Sequence, residues 1–264
     1  MHTVRLVVTC VLLAAALPAQ EPGSSELAKD SSQNTAAAES EVLISPKQLA
    51  TRILHDQKPI WTLPWQVVKG NHWKPVAAVV AGTAALVLLD PHTEPYFNNP
   101  NRFGGYKTGP LRGRNTTLAV TMTPVVFYLA GVATHSTYDR NTAMLAAEGI
   151  IDTQAVSFVV KTAIGRLKPS DIAPDGNYRD TWFKYKGSFI NRGGFPSGHT
   201  ASAFAVATVI SGRYPKHRWL PFVAYGTAAF LSLSRLPTQA HFPSDIFIGA
   251  AMGYSIGRFV VLKN

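Results

Sequence analysis

From residue 74 onward the chain is a succession of apolar runs cut by prolines and by basic loops. The runs are continuous, and no stretch shows the period of two that marks a half-buried strand. Their edges predict helices over about Pro75–Leu89, closed at Asp90-Pro91, and over Thr116–Thr134. A third covers Thr142–Leu167 and ends before Lys168-Pro169, because proline disfavours helix in the residue before it. The others run from Ser197 to just before Arg213, from Leu220 to Ser234 and from Pro243 to about Val261. Helices without strands imply an all-α bundle of about six helices.

Composition removes several classes. Of 264 residues, 46% are apolar and 15% charged, against about 25% charged in average chains. A body with this much apolar content is not disordered in bulk. The single cysteine, Cys10, excludes a disulfide framework and a cysteine zinc site. A net charge of +10 points to anionic partners: nucleic acid, acidic lipid or phosphate esters.

The N-terminus has the layout of a secretory signal peptide, with Arg5, an uncharged apolar run Leu6–Leu17 and small residues up to Ala19. Residues 1–19 are therefore expected to be cleaved, taking Cys10 with them; an uncleaved anchor is the alternative. Residues 20–44, rich in Ser, Ala, Glu and Gln, read as a flexible leader. Residues 45–74 hold three Trp and several Pro and read as an ordered segment packing on the helical body, 75–264. Export and the lack of a recognition motif make nucleic acid an improbable partner.

Whether the helices sit in a membrane stays open at this level. Spanning needs about 20 mostly apolar residues. The region around 116–134 meets that comfortably, whereas about 15 residues separate Lys74 from Asp90. Glu148, Asp152 and Lys161 would be costly in lipid unless they face inward. Mean hydropathy over the chain is a modest +0.06.

Three blocks carry chemistry. The first, Lys161-Thr-Ala-Ile-Gly-Arg166-Leu-Lys168-Pro169, places three cations before a helix-ending proline. Lys161 and Lys168, seven apart, would share a helix face. Such a cluster suits an anion, and equally it complements the negative end of a helix dipole. The second, Phe195-Pro-Ser197-Gly198-His199-Thr, opens a helix whose first N–H groups form a phosphate cradle. Ser197 supplies a hydroxyl or merely caps the helix, and His199 titrates near neutrality. The third, Ser234-Arg235-Leu-Pro-Thr-Gln-Ala-His241-Phe-Pro-Ser-Asp245, sets His241 and Asp245 one helical turn apart. A carboxylate there can fix the imidazole tautomer, and Arg235 offers a planar fork for phosphate oxygens.

In order and spacing the blocks resemble the three-part signature of the type 2 phosphatidic acid phosphatase and vanadium haloperoxidase superfamily. The second and third match throughout; in the first, Lys168 stands where the family usually has Arg. The resemblance implies a metal-independent phosphatase with its site at the helix ends on one side of the bundle. It implies that His241 attacks phosphorus to give a phosphohistidine and that Asp245 orients it. His199 would protonate the leaving oxygen and then activate water. Lys161, Arg166, Lys168, Ser197, Gly198 and Arg235 would bind the phosphoryl oxygens, with no metal and no organic cofactor. The substrate class is a lipid phosphate or, for a soluble exported enzyme, a broad range of phosphoesters. Vanadate would act as an inhibitor, or as the cofactor of a haloperoxidase, which the short chain disfavours. An exported chain with a peripheral first apolar helix places the site on the outer face of a membrane, and the basic loop Arg213–Arg218 on the inner.

Overall fold

The computed structural model describes residues 41–103, 109, 113–173, 176–184, 186 and 193–264. The signal peptide 1–19 and the leader up to residue 40 lie outside the described residues. So does most of the loop between 104 and 112.

All regular structure among the described residues is helical. Seven long helices follow in order: α1 Pro46–Val68, α2 Trp73–Phe97, α3 Gly113–Ala133, α4 Thr137–Ile164, α5 Gly198–Arg213, α6 Leu220–Leu233 and α7 Pro243–Ile256. A one-turn helix at Pro100–Phe103, a 3-10 turn at Pro169–Asp171 and a π turn at Gly257–Val261 complete the set. The count differs from six because the segment 45–74 is itself mostly helix. Ser45 caps α1: its hydroxyl accepts from the Gln48 amide at 3.2 Å, and Gln48 accepts from the Ser45 amide at 2.8 Å. Pro46 occupies the first turn, where its missing N–H costs nothing. The last leader residues are anchored rather than flexible. Glu41 pairs with Arg213 at 2.7 Å, and the Ile44 amide donates to Asn141 at 2.8 Å.

Two helix ends depart from expectation. α2 does not stop at Asp90-Pro91 but runs on through Pro91 and Pro95, with Asp90 and Glu94 buried. α4 stops at Ile164, three residues early, because Gly165 takes the left-handed conformation at φ 58° and closes the helix. Pro169 begins only the short 3-10 turn. Lys161 and Lys168 therefore do not share a helix face.

α5 is the central helix. It packs against α4, α6 and α7 and touches α3, while α3 lies along α4, α2 leans on α7, and α1 on α4. Its Val206 and Val209 share the core with Leu145, Ala146, Ala228, Leu231 and Ile256. The α5–α7 contact is unusually close because glycine stands at 249 and 253 in α7 and at 257, where the π turn continues it, every fourth residue on one face. A Cβ at Gly253 would sit 2.1 Å from the Ala201 carbonyl, and one at Gly249 2.7 Å from that of Ser197. Small residues at this spacing let helix backbones touch. Gly253→Ala must push the two helices apart, at about 1–3 kcal/mol, so its Tm is expected to fall by about 3–10 °C. Gly226→Ala, where a Cβ meets open space, is the matched control. An unchanged Tm for Gly253→Ala would refute the close contact.

Outward faces are strongly apolar, with Leu88 74% exposed, Leu129 61% and Phe222 80%. Three stretches are long and apolar enough to cross a membrane: Trp73–Phe97, Gly113–Ala133 and Thr137–Asp171. The sequence singled out only the second comfortably. The first gains its length by continuing past Asp90, whose charge is taken up inside the protein.

Candidate functional site

His241, Asp245, Ser197, Gly198 and His199 converge because the close α5–α7 packing brings their N-termini side by side. The Ser197 amide donates to the Asp245 carbonyl at 3.0 Å. His241 lies in the turn before α7 and is 3% exposed. Its Nδ1 is 2.8 Å from the Gly194 carbonyl, an acceptor only, so Nδ1 carries the proton. Asp245 Oδ2 stands behind at 3.7 Å and accepts instead from the Phe242 amide at 2.8 Å. The carbonyl of Gly194, not the carboxylate, thus makes the direct bond that fixes the tautomer. That leaves the Nε2 lone pair as the nucleophilic one. Burial would raise the Asp245 carboxyl, but Arg166 and His241 outweigh it and hold it below the ordinary carboxylate range. Burial, together with Lys161 and Arg235, pushes His241 down to about 4 against the opposing pull of Asp245.

The His199 ring centre is 6.3 Å from that of His241, and its Nε2 is 2.6 Å from Thr117 Oγ1 on α3. Ser197 is fully buried and caps α5, its Oγ accepting from the Thr200 amide and hydroxyl. Gly198 opens that helix where a Cβ would crowd Gln154 at 3.2 Å. Lys161, in the last turn of α4, and Lys168 beyond it both act electrostatically on His199, as does Arg235. Arg235 is 4% exposed and donates to Thr116 Oγ1 at 3.1 Å. Two histidines thus lie at converging helix ends within the field of three cations. Residues 142–263 match the model of the PAP2 superfamily.

Over this stretch the chain is similar to the PAP2 superfamily. Over 101 residues the chain is 33% identical to the lipid A 1-phosphatase of Porphyromonas gingivalis, covering 38% of this chain and 22% of that protein. Over 118 residues it is 30% identical to the lipid A 4'-phosphatase of the same organism, covering 45% and 48%. The chain thus spans less than half the length of these curated relatives. A solved structure, a transmembrane PAP2 type phosphatidylglycerolphosphate phosphatase from Bacillus subtilis, matches at 18% identity and a TM-score of 0.41. That match covers 78% of this chain and 94% of the other.

One residue of the PAP2 stretch is not where the sequence reading put it. Arg166 was expected on phosphate, but its guanidinium is 1% exposed and committed to protein. It donates to Asp245 Oδ1 and Asp90 Oδ2, both at 2.6 Å, to Ser244 Oγ at 2.7 Å and to Thr181 Oγ1 at 3.3 Å. The plane lies between Trp182 and Phe242, at 4.3 and 4.2 Å from their ring centres. Gly165 turns the chain so that Arg166 goes inward. Asp90, Thr116 and Thr117 were missed altogether. They lie outside the PAP2 stretch, and a lone Asp in a Pro-flanked run or a Thr pair at a helix start carries no local signal. Gly194 was missed because it acts through its backbone.

Proposed function

We propose that the chain is a phosphatase of lipid-borne phosphate monoesters, working through a phosphohistidine on His241 and without a metal ion at phosphorus. The observation that carries this reading is the His241 Nδ1 bond to the Gly194 carbonyl, which presents Nε2 as the nucleophile. In the first step the Nε2 lone pair forms the N–P bond while the P–O ester bond breaks, and His199 gives its proton to the leaving oxygen. In the second, water attacks phosphorus, its proton passes to His199, and the N–P electrons return to Nε2. Lys161, Lys168, Arg235 and the first N–H groups of α5 hold the equatorial oxygens, supplying the fixed charge that phosphoryl transfer requires.

Two observations favour a lipid over a soluble ester: the similarity to lipid A phosphatases and the apolar outer faces of α2, α3 and α6. A patch of that extent suits lipid better than water. The test is phosphate release by detergent-solubilised full-length protein from lipid A, phosphatidic acid, phosphatidylglycerol phosphate and p-nitrophenyl phosphate, with and without vanadate. Lipid phosphates are expected to be preferred by about a hundredfold in kcat/KM, with vanadate inhibiting. Equal rates on the soluble ester would favour the soluble exported reading, and no release from any substrate would overturn both.

On this reading the site faces the outer side of the membrane. The α5–α6 loop, with Arg213, Lys216 and Arg218, and Lys263 beyond α7 follow the helix ends opposite the site, a basic charge that the positive-inside rule assigns to a cytoplasmic face. Glu41 is tied to Arg213 at that same end. If α2 crosses, an exported residue 41 and an outward site exclude one another, so on this reading the run Leu6–Leu17 does not carry residue 41 across. With Cys10→Ser as background, an impermeant maleimide applied to intact cells should label Lys184→Cys and spare His217→Cys. The reverse pattern would place the site inside.

A further inference from the structure

Three carboxyl groups with no part in the phosphate site meet in the interior. Asp56 comes from α1, and Glu148 and Asp152 from successive turns of α4; all three are fully buried. One oxygen of each lies within 4.8 Å of the other two. Arg52 takes Glu148 with Nε and Nη2 at 2.8 and 3.1 Å, and also donates to the Val261 carbonyl at 3.0 Å. Gln57 donates to Asp152 Oδ1 at 2.8 Å, and the Asn264 amide donates to Asp56 Oδ1. The second oxygens, Asp56 Oδ2 and Asp152 Oδ2, are buried and have no hydrogen-bond partner.

If all three ionise, three carboxylates face one guanidinium, that of Arg52, and two negative charges are left buried. Unpartnered buried charge is among the costlier arrangements a fold can hold. The two orphaned oxygens belong to carboxyl groups of facing helices, and each of those groups brings an oxygen within 4.8 Å of the others.

We propose that Asp56, Glu148 and Asp152 hold a divalent cation of the calcium or magnesium class, which clamps α1 onto α4. The donors are all oxygen, the chemistry that selects hard cations over zinc or copper. A double positive charge cancels the excess, and the ion gives both orphaned oxygens a partner. The site is structural and separate from the reaction: Asp152 precedes Lys161 by nine residues on one helix, about 13 Å. The competing arrangement is carboxyl groups that share protons and bind nothing.

The test uses full-length protein in detergent, stripped with EDTA and desalted, then given Ca²⁺ or Mg²⁺. Elemental mass spectrometry after a second desalting is expected to find one divalent ion per chain. Tm should rise by about 5 °C or more at a hundredfold excess over Kd. Proteolysis within residues 41–70 should slow, since the ion secures α1. Asp152→Asn and, on the other helix, Asp56→Asn should each raise the half-saturating metal concentration by tenfold or more. Wild-type protein that retains no ion and shows no metal-dependent Tm overturns the proposal, whatever the variants do. Variants that are more stable than wild type in EDTA yet respond to metal as it does would overturn it as well.

Discussion

His241→Ala is expected to lower kcat by at least ~10⁴-fold, as removal of the nucleophile does in other covalent catalysts. Phosphate binding should survive, because Lys161, Lys168 and Arg235 remain. The decisive measurement is an alkaline, denaturing quench of wild type with labelled substrate, which should trap an acid-labile, base-stable phosphoryl group on the protein. His241→Ala should trap none. Release at the wild-type rate would end the phosphohistidine reading. The pH profile supplies a second reading of the same atom. Burial, reinforced by Lys161 and Arg235, holds His241 at about 4 in the free site. Its ring is therefore neutral, and nucleophilic, at every pH above that. The first step also needs His199 protonated, and burial holds that ring down at about 3, so kcat/KM, which reports the free enzyme, should be bell-shaped with its optimum on the acid side. Asp245 raises the His241 value, so Asp245→Asn should move that acid limb to lower pH.

Arg166→Ala is expected to remove most activity without disturbing substrate affinity to the same degree. Its loss leaves Asp90 and Asp245 buried without their cation, a defect that costs about 3–5 kcal/mol. It also withdraws the flat group on which Phe242 and Trp182 rest, beside His241. A phosphate-binding arginine would instead reveal itself mainly in KM. Asp90→Asn separates the two roles, because Asp90 sits on α2 and contacts Arg166 and Ser244. The positioning role predicts a fall in kcat for Asp90→Asn, with KM within a few-fold of wild type. Arg166→Lys keeps one charge but cannot bridge two carboxylates and Ser244, so it should rescue stability more than turnover. Loss of affinity in Arg166→Ala with kcat preserved would return the residue to the phosphate.

The helices that the sequence made legible are those whose apolar run is uninterrupted. Leu220–Leu233 and Gly113–Ala133 fall within a few residues of expectation for that reason. α1 was hidden because Arg52, Asp56, Lys58, Pro59 and Pro64 break its pattern. Arg52 and Asp56 turn inward to meet the acids of α4, a partnership no local window contains. The end of α4 was misplaced because a glycine in the left-handed conformation outranked a proline four residues later. The second and third chemical blocks were readable since each lies within one turn-to-helix transition. Their assembly was not: Thr117 and Gly194 reach the histidines, and Asp90 reaches Arg166, only through tertiary packing, and Arg166 looks like its neighbouring lysines until the backbone direction is known.

The Arg166 bracket has a consequence for selectivity. Around the pocket stand Lys161, Lys168, Arg235 and Arg166, opposed by Asp245 and Asp90. Four cations against two carboxylates leave a double positive charge, equal and opposite to a phosphate monoester dianion. A phosphodiester or a sulfate ester brings a single negative charge and would leave one cation unanswered in a buried place. Asp90 on α2 makes part of that balance from inside the protein. On the proposed reading, a preference for monoesters would be set partly by a helix that carries none of the three chemical blocks.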